Sequence, residues 1–87
     1  MESFRIEWKS SSERDLRRID GQVIPRILKS IESLSDNPFP RQTRKLKASE
    51  SSYRLRVGDY RIIYQVDSSK KTLVIYHIRH RKDVYKS

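Results

Sequence analysis

Arg54, Arg56 and Arg61 flank the turn Gly58-Asp59 in the stretch Tyr53-Arg54-Leu55-Arg56-Val57-Gly58-Asp59-Tyr60-Arg61-Ile62-Ile63-Tyr64. Apolar residues alternate on both sides of that turn, which is the pattern of a β-hairpin. The register that sets Val57 across from Tyr60 also sets Arg56 across from Arg61, with Arg54 on the same face. Like charges directly opposed weaken a hairpin, and sequences break such local rules mainly at functional sites. The chemistry on offer is anion handling. Arginine carries a planar fork of donors that grips phosphate oxygens in pairs, and it keeps its charge when buried. The wet side of an antiparallel sheet is ordinarily polar, yet no Asp or Glu falls on this face of the hairpin.

A second group of reactive types closes the chain: His77-Ile78-Arg79-His80-Arg81-Lys82-Asp83-Val84-Tyr85. His80, near a strand end within reach of solvent, is the candidate for proton transfer. His77 reads as a polar neighbour of Arg61. Tyr85 suits stacking on a base or carrying a proton. The basic face has no paired carboxylates, so two-metal phosphoryl chemistry lacks ligands there. The chain has no cysteine, which rules out thiolate zinc sites and disulfides, and Gly21 and Gly58 are its only glycines, so no phosphate-cradling glycine loop exists.

The elements that must position these residues follow from periodicity. Phe4, Ile6 and Trp8 alternate with Arg5, Glu7 and Lys9 as in a strand with one buried face. Ser10 to Glu13 reads as a capping box opening a short helix that carries Leu16 and Ile19. After Asp20-Gly21, the stripe Val23, Ile24, Ile27, Leu28, Ile31 and Leu34 predicts a second helix ending near Ser35, with Pro25 in its first turn. Asp36 to Pro40 is a stop and linker. A short strand is expected around Leu46, then the hairpin from Tyr53 to Val66, a loop over Asp67 to Lys71 and a last strand from Thr72 to Ile78. Pairing Val66 with Thr72 predicts that Val74, Tyr76 and Ile78 join the core. It also sets Leu73, Ile75, His77 and Arg79 on the basic side, with Arg61 opposite His77 over an apolar floor of Ile63 and Ile75. The fold expected is one two-layer α+β domain over residues 1–87, with a helical pair covering one face of the sheet.

Charge points the same way. Twenty Lys and Arg against eleven Asp and Glu give a net charge of +9 over 87 residues. Up to Pro40 there are seven basic and seven acidic residues, and from Arg41 onward thirteen and four, so the whole excess lies in the strand-rich half. Such a concentration favours a polyanion. The charged start, Met1 to Trp8, is unlike a signal peptide, and no run approaches a membrane span. The expected setting is cytoplasmic.

The hairpin string, together with His80-Arg81-Lys82-Asp83-Val84-Tyr85, Asn37-Pro38 and Lys45-Leu46, resembles the RelE branch of the RelE/ParE toxin superfamily across nearly the whole chain. That resemblance implies a sheet with the first strand beside the last. It implies a toxin that enters the ribosomal A site and cuts mRNA there, and a cognate RelB-like antitoxin that wraps it. By position, Arg54 and Arg56 match two basic residues of the family's first hairpin strand, and Arg61 its phosphate-binding arginine. Arg79 matches the arginine that acts as acid or steadies the leaving group, and Tyr85 the C-terminal tyrosine that stacks on the message or moves a proton. Lys45 and Lys47 match residues that hold RNA, and Arg81 and Lys82 join them as RNA contacts. The best-known members carry lysine where Arg54 and Arg56 stand. Arginine hardly releases a proton, so activation of the attacking 2′-hydroxyl is either electrostatic or falls to Tyr85 or His80. No cofactor or metal is implied. The alternatives are a ParE-like protein that inhibits DNA gyrase without catalysis and a basic RNA-binding module that cuts nothing.

Overall fold

The computed structural model describes residues 3–41, 43–46 and 52–81. Their elements are β1 (Arg5–Trp8), α1 (Ser10–Arg17), α2 (Ile24–Leu34), β2 (Thr43–Lys45), β3 (Ser52–Val57), β4 (Tyr60–Asp67) and β5 (Thr72–His80). The strands form one sheet in the order β1-β5-β4-β3-β2. β1 runs parallel to β5 and the remaining pairs are antiparallel. The fold is therefore α+β, with the first strand beside the last as expected.

One face of the sheet carries the core. Ile27, Ile31 and Leu34 of α2 pack with Leu55, Val57, Ile62, Tyr64, Val66, Leu73, Ile75 and Ile78, all buried. Pro25 sits in the first turn of α2, where its missing N–H has no intrahelical partner to lose. The buried Tyr64 donates its hydroxyl to Pro38 O at 2.7 Å and meets the Thr43 hydroxyl at 3.1 Å. Phe39 and Tyr53 extend the aromatic stack over it. The proline-rich stop after α2 is thus pinned to the core, and it delivers β2 to the edge of β3. Burial pushes the Tyr64 phenol above its ordinary value, and the Thr43 hydroxyl partly offsets this.

Three expectations are corrected. The capping box at Ser10 does not form: Lys9 is the N-cap, without a side-chain cap. Its N–H is already held by Ile75 O at 3.0 Å, so the helix starts at Ser10, and Ser11 donates instead to Tyr76 O at 2.6 Å. The short strand lies over Thr43–Lys45 rather than at Leu46, whose N–H bonds Ser52 O just past it.

The third correction sets the shape of the site. Thr72 pairs with Asp67, not Val66, because the Asp67 carboxylate accepts from the Ser69 hydroxyl and the Lys70 N–H and closes a tighter turn, with Lys71 at φ 51°. The one-residue shift brings Leu73 and Ile75 into the core, so Ile75 is not part of the open face. A bulge opposite Ile63 and Tyr64, at Tyr76, inserts one residue and restores the expected parity from His77 onward. Arg61 consequently opposes Arg79, and His77 opposes Ile63.

Candidate functional site

The Gly58-Asp59 turn builds the centre of the open face. Gly58 sits at φ 59°, a left-handed conformation that favours glycine at the first position of a two-residue hairpin turn. The observed register sets Val57 across from Tyr60 and Arg56 across from Arg61. Adding the pair Arg61 and Arg79 gives a row of three arginines over three adjacent strands, about 4.8 Å apart from strand to strand. The Gly58 carbonyl accepts from Arg56 Nε at 3.4 Å and from Arg61 Nη1 at 3.5 Å, while Arg61 Nη1 also reaches Tyr60 O at 3.2 Å. One turn carbonyl thus faces two guanidinium groups that would otherwise repel.

A second row lies beside the first. Arg44 pairs with Arg54, Arg54 with Ile63, and Ile63 with His77. Arg41, Arg44, Arg54, Arg56 and Arg61 line a hollow of about 310 Å³. Among the described residues, neither these five nor Arg79 forms an ion pair with a carboxylate. The opposite end of the open face holds a larger hollow of about 770 Å³, but there Glu7 and Asp67 stand among Arg5, Lys70, Gln65 and Thr72. Its mixed sign suits a polyanion poorly. The arginine end combines a single sign of charge, planar donors and partial exposure, which together favour a phosphate backbone.

The structure brings Arg54, Arg56, Arg61 and Arg79 together. It does not bring His80 to them: His80 pairs with Tyr60 and meets its ring edge-on at 5.1 Å, on the face that carries the core. Lys45 pairs with Tyr53 and shares that other face with Thr43, so Arg44, not Lys45, is the β2 residue on the arginine side. The Arg81 N–H donates to Asp59 O, which ties the end of β5 to the hairpin turn. Lys47, Lys82 and Tyr85 lie outside the described residues. No group of three His, Cys, Asp or Glu suited to a metal occurs among the described residues, and none of their helices is long and apolar enough to cross a membrane.

Sequence reasoning missed three contributors. Arg41 and Arg44 reach the face because Tyr64 pins the preceding loop, a contact with no local signature. Asp15 of α1 lies 62 residues from His77 in sequence, yet its Oδ2 accepts from His77 Nδ1–H at 3.1 Å and from the Ile78 N–H at 3.1 Å. The available signal was that β1, with only four residues, cannot cover the nine of β5, so another element must satisfy the edge beyond Ile75.

A family model described as the ParE toxin of the type II toxin-antitoxin system parDE matches residues 6–85. The toxin RelE3 of Methanocaldococcus jannaschii is 34% identical over 76 residues, covering 83% of this chain and 84% of its own length. The toxin RelG of Mycobacterium tuberculosis is 24% identical over 84 residues, with 95% of this chain and 97% of the relative covered. The crystal structure of the archaeal RelE-RelB complex from Pyrococcus horikoshii OT3 superposes with a TM-score of 0.81 at 27% identity, over 91% of this chain and 96% of that one.

Proposed function

The chain belongs to the RelE/ParE superfamily of type II toxin-antitoxin toxins, and from that premise we propose that its free form is an endoribonuclease that cuts mRNA on the ribosome. The observation that carries the reading is the row Arg56, Arg61 and Arg79 on neighbouring strands, flanked by Arg54, Arg44 and Arg41, with none of them paired to a carboxylate among the described residues. In the reaction the 2′-hydroxyl of a message nucleotide attacks the adjacent phosphorus, and negative charge grows on the non-bridging oxygens. Guanidinium groups already fixed at that place stabilise it without reorganising, which is commonly the largest catalytic term. Arg61, central in the row, meets the phosphate, and Arg79 at its end steadies the departing 5′-oxygen. The products are a 2′,3′-cyclic phosphate and a 5′-hydroxyl. The face is shallow, so the ribosome supplies much of the alignment. A RelB-like antitoxin is the partner that holds the chain inactive, a reading supported by the likeness to the toxin in a RelE-RelB complex.

Inducing the chain in growing cells and mapping the 5′ ends of cellular RNA tests this. New ends within translated codons support it. The match to the ParE model favours one second reading, a non-catalytic inhibitor of DNA gyrase. Intact messages with accumulated gyrase-linked DNA breaks are its signature.

A further inference from the structure

Among the described residues of the hairpin, the arginine face has charge for the transition state but no acceptor for the 2′-hydroxyl proton, and His80 points to the other side of the sheet. A different imidazole occupies the right side. His77 stands in the second row beside Ile63, two residues from Arg79 on the same strand, with its side chain about one-third exposed. Its Nδ1–H donates to Asp15 Oδ2, and that same oxygen accepts the Ile78 N–H. The Asp15 side chain is only 15% exposed. An ionised carboxylate accepts hydrogen bonds and donates none, so Asp15 fixes the tautomer that carries the proton on Nδ1. In the neutral ring that tautomer leaves Nε2 with a lone pair. This is the arrangement in which a carboxylate orients a histidine and stabilises the positive charge that the ring takes up.

We propose that His77 is the general base of this site and Asp15 the residue that positions it. The proposal rests on the endoribonuclease reading. Nε2 takes the proton from the 2′-hydroxyl as the O2′–P bond forms. The P–O5′ bond breaks with its electron pair on the 5′-oxygen, which Arg79 steadies until it is protonated from water. The imidazolium, held by Asp15, returns its proton to solvent. Arginines at positions 54 and 56 are no obstacle to such a scheme, because neither has to give up a proton. The charged groups placed beside His77 are Asp15, which holds Nδ1, Arg79 two residues along β5, and Arg61 across from Arg79 on β4; Arg18, the C-cap of α1, shares a hollow with Asp15, Arg79 and His80.

The test is single-turnover cleavage of a message on saturating programmed ribosomes, followed across pH for the wild type, His77→Gln and Asp15→Asn, with urea unfolding of each. The wild-type rate is expected to rise with pH along an acid limb. His77→Gln loses the limb and roughly 100-fold or more of the rate, in line with general-base contributions. Asp15→Asn still accepts from both N–H groups through its amide oxygen, so it keeps the clamp on β5 while losing the charge. It is expected to displace the limb and lower the rate about tenfold, with ribosome affinity unchanged. A purely structural pair would alter unfolding and leave the limb in place. A folded His77→Gln with wild-type rate and profile overturns the proposal. Should His77→Gln fail to fold, an unchanged limb in Asp15→Asn overturns it equally. A wild type that leaves the message whole refutes the endoribonuclease reading itself, an outcome distinct from cleavage indifferent to His77.

Discussion

Arg61 of β4 stands directly across from Arg79 of β5 and, on its other side, directly across from Arg56 of β3. The middle guanidinium of three has no neighbour able to take its place. Arg61→Ala is expected to lower single-turnover cleavage by about 100-fold, the scale of losing one preorganised charge donor. Relief of like-charge repulsion leaves stability unchanged or higher by about 0.2–1 kcal/mol, read from urea unfolding. Lys45→Ala, on the opposite face, should cleave at nearly the wild-type rate.

Arg41 and Arg44 lie at the rim of the same hollow. Their role in binding is read from salt dependence. For a single-stranded RNA, removing one side chain that neutralises a phosphate flattens the plot of log affinity against log salt by about 0.7. The double change Arg41→Ala and Arg44→Ala is expected to flatten the slope by about 1.4 and to leave the rate at saturation little altered.

Gly58 carries two burdens at once. Its φ of 59° strains any other residue, and a Cβ there would meet Arg26 Nη1 at 3.3 Å. Gly58→Ala is expected to cost about 1–2 kcal/mol in urea unfolding. It also shifts the carbonyl that holds Arg56 and Arg61, so cleavage falls in protein that remains folded.

Tyr64 couples stability to alkaline pH. Its folded-state value is raised above 10.0 by burial, so its stabilising contribution is complete below the unfolded value and is lost as pH rises through the folded one. Tyr64→Phe is expected to cost about 1 kcal/mol near neutrality, since Pro38 O loses its donor. Its stability should decline less steeply above the ordinary tyrosine range. Unfolding curves at neutral and alkaline pH separate the two effects.

The hairpin was legible because it is local: alternation fixes the faces of Tyr53 to Val66, and Gly58-Asp59 fixes the register. The second helix was legible from the Ile27, Ile31 and Leu34 stripe. The β4–β5 offset was not, since the Asp67 turn shortens the loop by one residue and the bulge at Tyr76 inserts one in the strand. Together they move the register by two residues from His77 onward, which restores the alternation of faces, so Arg79 falls on the expected face while Leu73 and Ile75 do not. Arg44 and the pair of Asp15 with His77 depend on contacts between distant segments, and no spacing in the chain encodes them. The positioning of α1 along β5 follows only once β1 is known to stop at Trp8.

Attack of a 2′-hydroxyl on its own phosphodiester, promoted by the arginine face, leaves its record in the ends of the fragments released from programmed ribosomes. Identifying those ends is therefore the decisive measurement. A 2′,3′-cyclic phosphate on the upstream fragment and a 5′-hydroxyl on the downstream one are expected, both lost in Arg61→Ala. A 5′-phosphate on the downstream fragment, or a message that stays whole with the wild-type chain bound, would rule this chemistry out.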